Sequence, residues 1–157
     1  MSTHQFKPLR IVVVTILVFL VIQFEFGMAI NLSGPPSIPP FDFSFTNLLG
    51  ALNQAGFVAV MHAILGTILT IISIVGMIMA LASKVRSVQV FGVLGFLSMV
   101  LAATSGLLFT LSGFQEDHYS HGMATNFILT FGFYFLELYV LKPAARTQTH
   151  QVSEKKV

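Results

Sequence analysis

Four long apolar stretches dominate this sequence and restrict what it can fold into. Each is at least as long as the roughly 20 residues with which a helix crosses a bilayer. They comprise about residues 11–30, 57–82, 88–111 and 119–141. Charged residues make up only 9% of the 157 residues, against roughly 25% in a soluble domain. This composition excludes a soluble globular domain and a disordered chain, and it predicts an integral membrane protein.

The connections between the stretches predict the topology. Residues 83–87 and 112–118 are short connections, and short connections make successive helices antiparallel neighbours. The sequence therefore predicts an all-α, up-down-up-down four-helix bundle. The long loop 31–56 contains two Pro-Pro pairs, which favour extended backbone. Residues 42–55 within it are predicted to form a short interfacial helix. Its predicted apolar anchors are Phe41, Phe43, Phe45 and Leu48.

The two ends of the chain are predicted to lie outside the four-span domain, which covers 11–142. Residues 1–10 form the N-terminal segment, and 143–157 form a polar tail that we expect to be disordered. Residues 1–29 also resemble a signal peptide, with a small-x-small cleavage pattern at 27–29. Because the apolar run is longer than in most signal peptides, we expect a retained membrane helix.

All eight basic residues lie on one side of the predicted bundle. They precede the first span, separate the second from the third, and follow the fourth, whereas loops 31–56 and 112–118 contain none. By the positive-inside rule, both termini are predicted to be cytoplasmic in a multi-pass protein of the plasma membrane. We therefore expect the lipid bilayer and other membrane subunits as partners, and no nucleic acid.

Polar side chains within or beside the spans are the candidate functional residues, because they are expensive to place in a membrane. Glu25, His62 and His121 come from three different spans and are predicted to lie at a similar level near the outer surface. At about 1.5 Å per residue, Glu25 and His62 lie about 8 Å below the outer helix ends. His118 lies at the start of the fourth span.

The spacing of small and polar residues predicts which helix faces meet. The stripe of the second span consists of His62, Gly66, Thr70, Ser73 and Met77. The stripe of the third consists of Gly95, Ser98, Ala102 and Ser105. The stripe of the fourth consists of His118, His121, Thr125 and Gly132. If these stripes face one another, His62 and His121 point into the bundle.

Two cofactor interpretations of the outer site stay open. In the first, His62 and His121, or His118 in place of His121, are the axial ligands of haem b, although the outer loops offer no basic residue to its propionates. In the second, a copper, zinc or iron ion is bound by a set of histidine and carboxylate ligands, and the acidic outer face attracts cations. That set consists of His62, His118, His121 and Glu25.

Glu137 lies near the cytoplasmic end of the fourth span and is predicted to be structural. Basic residues flank the neighbouring helix ends on the same side. We expect the Glu137 carboxylate to form an ion pair with Arg10, Lys84 or Arg86, in preference to a role in proton relay.

Three functions fit this sequence. The first is a subunit of a larger membrane complex that uses the outer site for electron transfer or metal binding, without being an enzyme by itself. Such a complex would include a membrane oxidoreductase. The second is a purely structural accessory subunit without a cofactor, since small-residue stripes occur in any tightly packed membrane bundle. The third is a small transporter or oligomeric channel, although the absence of proline from the spans argues against broken transporter helices.

The charge asymmetry predicts a specific topology. Reporter domains fused after Ser83 and at the C-terminus should be cytoplasmic, and reporters inserted near Ser37 or Gln115 should be external. As a control, two reporters are fused separately at each position, one that is active only in the cytoplasm and one that is active only outside it. An external C-terminus would contradict the predicted orientation.

Overall fold

The computed structural model describes residues 6–33 and 38–154, with side chains as far as Leu141. The described part of the chain contains five α-helices and no strand. The helices are α1 Phe6–Ser33, α2 Phe45–Ala55, α3 Phe57–Ala82, α4 Arg86–Leu111 and α5 Asp117–Glu154. Residues 1–5, 34–37 and 155–157, including part of the predicted tail and the first Pro-Pro pair, lie outside the described residues.

Four of these helices are long and apolar enough to cross a membrane, namely α1, α3, α4 and α5 as far as Leu141. The predicted all-helical class and the four apolar spans are therefore confirmed. Two ends differ from the sequence prediction. Helix α1 begins at Phe6, and α5 continues to Glu154 through a segment that was expected to be disordered. The tail was expected to be disordered because it is polar, but the backbone stays helical through Pro143.

The spans pack in a closed order in which α1 contacts α3 and α5, and α4 contacts α3 and α5. Among the described residues, α3 and α5 have no close backbone contact, so they lie diagonally across the bundle. The core between the four spans is built from apolar side chains of every span. It includes Leu9, Val13, Ile16, Leu20, Leu69, Ala80, Val88, Met99, Tyr134 and Leu141.

Helix α2 and the segment before it pack at the end of the bundle that holds the α4–α5 turn, which is termed the outer end after its predicted orientation. The backbone N–H of Ile38 donates to Gly113 O at 3.4 Å, and the N–H of Phe41 donates to Leu111 O at 3.3 Å. Ile38 is buried against aromatic side chains at the α4–α5 turn. Of the four predicted interfacial anchors, Phe43 and Phe45 are exposed, whereas Phe41 and Leu48 are half-buried. The interfacial position of α2 stays a prediction.

Gly92 lies at a close approach of α4 to α3. A β-carbon on Gly92 would lie 2.5 Å from the Ala80 β-carbon, which is far inside van der Waals contact. Membrane helices associate through such close packing at small residues, because lipid is as apolar as the side chains.

Substitution of this glycine should therefore destabilise the bundle. Gly92→Ala should lower the free energy of unfolding by about 1–3 kcal/mol, the usual cost of overpacking a core. Thermal unfolding of the purified protein in mild detergent measures the change. Gly132→Ala is the matched control on a span, since a β-carbon there meets nothing within 4 Å. Alanine at Gly132 should leave stability unchanged or raise it by up to about 1 kcal/mol. Equal losses at both positions would contradict the close α3–α4 contact.

Candidate functional site

Glu137 and Tyr134 form a buried polar pair in the inner half of the bundle. Both residues lie on α5, one helical turn apart, and both have a relative exposure of 0%. The carboxyl oxygens of Glu137 and the hydroxyl of Tyr134 have no hydrogen-bond partner among the described side chains. The Tyr134 hydroxyl lies beside Ser73 of α3, but the two groups lack the geometry of a hydrogen bond.

Glycines on α4 make room for this pair. A β-carbon on Gly95 would lie 3.0 Å from the Tyr134 ring, and one on Gly92 would lie 3.4 Å from Glu137 Oε1. Because neither glycine has a side chain, the ring and the carboxyl group pack directly against the α4 backbone. Tyr134 thereby fills the space between α4 and the diagonally placed α3.

The predicted ion pair of Glu137 is wrong for the described side chains. Arg10, Lys84 and Arg86 are all exposed, and none of them contacts the carboxylate. The physical reason is the position of Glu137 on its helix. Its side chain points into the packed centre, whereas the three basic side chains are exposed at the helix ends that are predicted to be cytoplasmic.

His62 and Gln23 form a second polar contact, which is partly buried between α1 and α3 in the outer half. The side-chain amide of Gln23 donates to the His62 carbonyl oxygen at 3.0 Å. The His62 ring lies against α1, because a β-carbon on Gly27 would be 3.2 Å from its Cε1. His62 Nδ1 and Gln23 Oε1 are both buried without a partner. His62 therefore faces α1 rather than the centre of the bundle.

His118 and His121 are both exposed on α5. The Nδ1 atom of His118 lies 3.3 Å from a carboxylate oxygen of Glu116, also on the surface. The predicted inward stripe of α5 is therefore incorrect, because Thr125 is exposed as well and Gly132 contacts no neighbouring side chain. The face that packs inward consists of Gly122, Asn126, Thr130, Tyr134, Glu137 and Leu141.

The levels of these residues follow from contacts between the helices. Gln23 contacts His62, and the neighbouring Phe24 stacks on Phe127 of α5 with ring centroids 5.5 Å apart. At about 1.5 Å per residue, His121 therefore lies about 9 Å closer to the outer end than Phe127 does. Glu25 shares the level of His62 but is exposed on α1.

The described residues contain no group of three or more His, Asp or Glu side chains that could hold a metal ion. Glu25, His118 and His121 are exposed on two different helices, and His62 packs against α1. The haem and metal interpretations stay predictions. Gln23 and Tyr134 were not predicted from the sequence to be site residues. Tyr134 could have been found from its spacing, since it continues the line of polar residues from Asn126 and Thr130 to Glu137.

Scans of protein-family models, of curated proteins and of solved structures found no match to this chain.

Proposed function

We propose that this small membrane protein works as a subunit of a larger membrane complex. The observation that supports this function is Glu25, which is exposed on α1 at the level of His62. That level is about 8 Å below the outer end of α3 and about 13 Å below the outer end of α5. The exposed side chains around Glu25 on the same face of α1 are apolar, namely Val18, Val21, Ile22, Met28 and Leu32.

A carboxylate on a lipid-facing surface is costly, by about 2.5–3.5 kcal/mol at the centre of a span on insertion scales and less towards the interface. A partner helix that covers this face and offers a cation to Glu25 removes that cost. The basic residues of this chain all lie at the opposite ends of the spans. A second copy in the same orientation therefore brings no Lys or Arg to Glu25. We infer a different partner chain with a Lys or Arg in the outer half of one span.

Photo-cross-linking in the native membrane tests this assembly. A photoreactive residue at Met28, next to Glu25, should cross-link to one discrete membrane protein. The matched control is Ile64, which is exposed on α3 at a similar level, and which should react with lipid. Glu25→Lys should reduce the cross-link at Met28 by tenfold or more, since loss of a favourable pair and gain of a repulsive one cost about 1.4 kcal/mol or more.

A charge swap separates an ion pair from a general loss of packing. Glu25→Lys combined with Lys→Glu or Arg→Glu in the partner should restore the cross-link. Equal cross-links at Met28 and Ile64, a cross-link to a second copy of this chain, or an unaffected cross-link in Glu25→Lys would each contradict the proposal.

A second proposal concerns a cofactor within that complex, and its support is the buried, unpartnered Nδ1 of His62. An imidazole nitrogen without a protein partner is available to a haem iron or to a copper, zinc or iron ion. Glu25, at the same level, is the nearest carboxylate by position. His121 joins His62 in one site only if α5 turns or shifts, because its side chain is exposed in the present arrangement. Electron transfer in a membrane oxidoreductase is the activity that such a cofactor supplies.

A visible spectrum and a metal analysis of the purified protein test the cofactor. A shared site requires that His62→Ala and His121→Ala remove the same haem band or the same metal ion, whereas His150→Ala in the C-terminal segment leaves it in place. The double variant should be little worse than either single variant. A cofactor that survives either change, or a complex purified without haem and without stoichiometric metal, would contradict the shared site.

A further inference from the structure

All buried, unpartnered polar side-chain atoms of the described residues belong to four side chains. These are His62, Gln23, Tyr134 and Glu137. Folded proteins rarely leave such atoms without a partner, and a group of them usually marks bound water or function. Here the four side chains are not scattered. They occupy successive levels from the outer half of the bundle to its cytoplasmic end.

Hydroxyl groups of α3 bridge the middle of this row. Gly66 contacts the Gln23 amide, Thr70 lies one turn further in, and Ser73 lies beside the Tyr134 hydroxyl. Thr70 and Ser73 donate to carbonyl oxygens of their own helix at 2.9 and 2.7 Å, so their oxygen lone pairs remain available as acceptors.

The row extends across most of the membrane. At about 1.5 Å per residue, the interval from His62 to Ser73 covers about 16 Å along α3. Tyr134 to Glu137 adds about 4–5 Å along α5. Together they cover about 21 Å of a hydrocarbon core that is about 30 Å thick.

The chemistry of the row suits protons better than metal cations. One end is the Glu137 carboxyl group, which binds and releases protons, and the other is formed by the unpartnered Gln23 Oε1 and His62 Nδ1 atoms. The hydroxyl groups in the middle donate to helix carbonyl oxygens, so they serve as acceptors for water molecules, and the proton passes along that water. Glu137 is the one described acidic side chain on the row, so the row lacks the cage of six to eight oxygens that calcium takes. Among the described basic side chains, Arg10, Lys84 and Arg86 are exposed and do not contact the Glu137 carboxyl group.

We propose that this row is a transmembrane proton pathway. Glu137 exchanges protons with the cytoplasmic side, and water held at the unpartnered Gln23 Oε1 and His62 Nδ1 atoms exchanges them with the outer side. Each transfer breaks one O–H or N–H bond and forms another, so that one proton crosses without an oxidant or a reductant. The transmembrane difference in pH or potential supplies the driving force. The pathway is independent of the partner proposed for Glu25, but it requires a His62 Nδ1 that is free of iron or another metal, so it excludes the cofactor proposed for His62.

Proton flux into liposomes tests the pathway with the full-length chain. The protein is reconstituted into liposomes that contain a pH-sensitive dye. Potassium ions carried by valinomycin balance the charge of the protons that cross the membrane. The unmodified protein should dissipate a pH gradient faster than empty liposomes. Glu137→Gln should reduce the protein-dependent flux by about 100-fold or to the empty-liposome rate, the usual effect of removing a positioned proton-transfer group. His62→Gln should have a similar effect.

Tyr134→Phe and Tyr139→Phe form a matched pair on α5. Tyr134 is fully buried on the row, whereas Tyr139 is 65% exposed, so only Tyr134→Phe should lower the flux. Thermal unfolding in detergent identifies any variant that fails to fold. The test then relies on the folded variants at the other residues of the row. A flux equal to that of empty liposomes for the unmodified protein, or an unchanged flux in folded Glu137→Gln, would overturn the proposal. A flux of sodium ions in place of protons would overturn it too.

Discussion

The packing of α5 against two glycines of α4 is the contact on which the rest of the bundle depends. In a membrane, helices gain little from the hydrophobic effect when they associate, so the depth of their van der Waals contact decides which faces meet. Gly95 accepts the Tyr134 ring, and Gly92 accepts both the Glu137 carboxyl group and Ala80 of α3. One short segment of α4 therefore orients both of its neighbours. Helix α1 then closes the bundle with the apolar side chains from Leu9 to Leu20.

This contact also determines where polar atoms lie. A glycine face on α4 keeps Tyr134 and Glu137 out of lipid, where a polar side chain is most costly. The glycine face places backbone and apolar atoms around Tyr134 and Glu137, but it supplies no hydrogen-bond donor or acceptor to either side chain. Burial of a polar group without a hydrogen-bond partner is costly unless a bound molecule such as water supplies that partner. A protein selected for packing alone has a simpler solution in an apolar side chain at each position. The presence of two buried polar side chains without partners is therefore the reason to assign them a function.

The sequence allowed the spans to be predicted because their signal is local. Length and hydropathy identify four helices without any knowledge of their neighbours, and α-helices cover each predicted span. The helix faces that pack together were harder to predict. The spacing of small and polar residues defines several possible faces on one helix, and packing against the neighbouring helix decides which of them is buried. On α5 the predicted inward face consisted of small or titratable residues, among them His118, His121 and Thr125. The structure uses the face of Thr130, Tyr134 and Glu137, where a large aromatic side chain fits a glycine notch on another helix. That match is a property of two helices together.

The two membrane glutamates show why position decides the role of a side chain. Glu25 and Glu137 lie on helices that contact each other, but Glu25 faces outward and Glu137 is fully buried. An exposed carboxylate such as that of Glu25 interacts with lipid or with another protein that packs against the surface of the bundle. A buried carboxyl group interacts with what enters the bundle, and among the described residues the polar neighbours of Glu137 lie along α5 and α3 towards His62. Because no described contact joins the two carboxyl groups, the partner surface proposed on α1 and the proton pathway proposed in the interior are separate, and changes in one should leave the other intact.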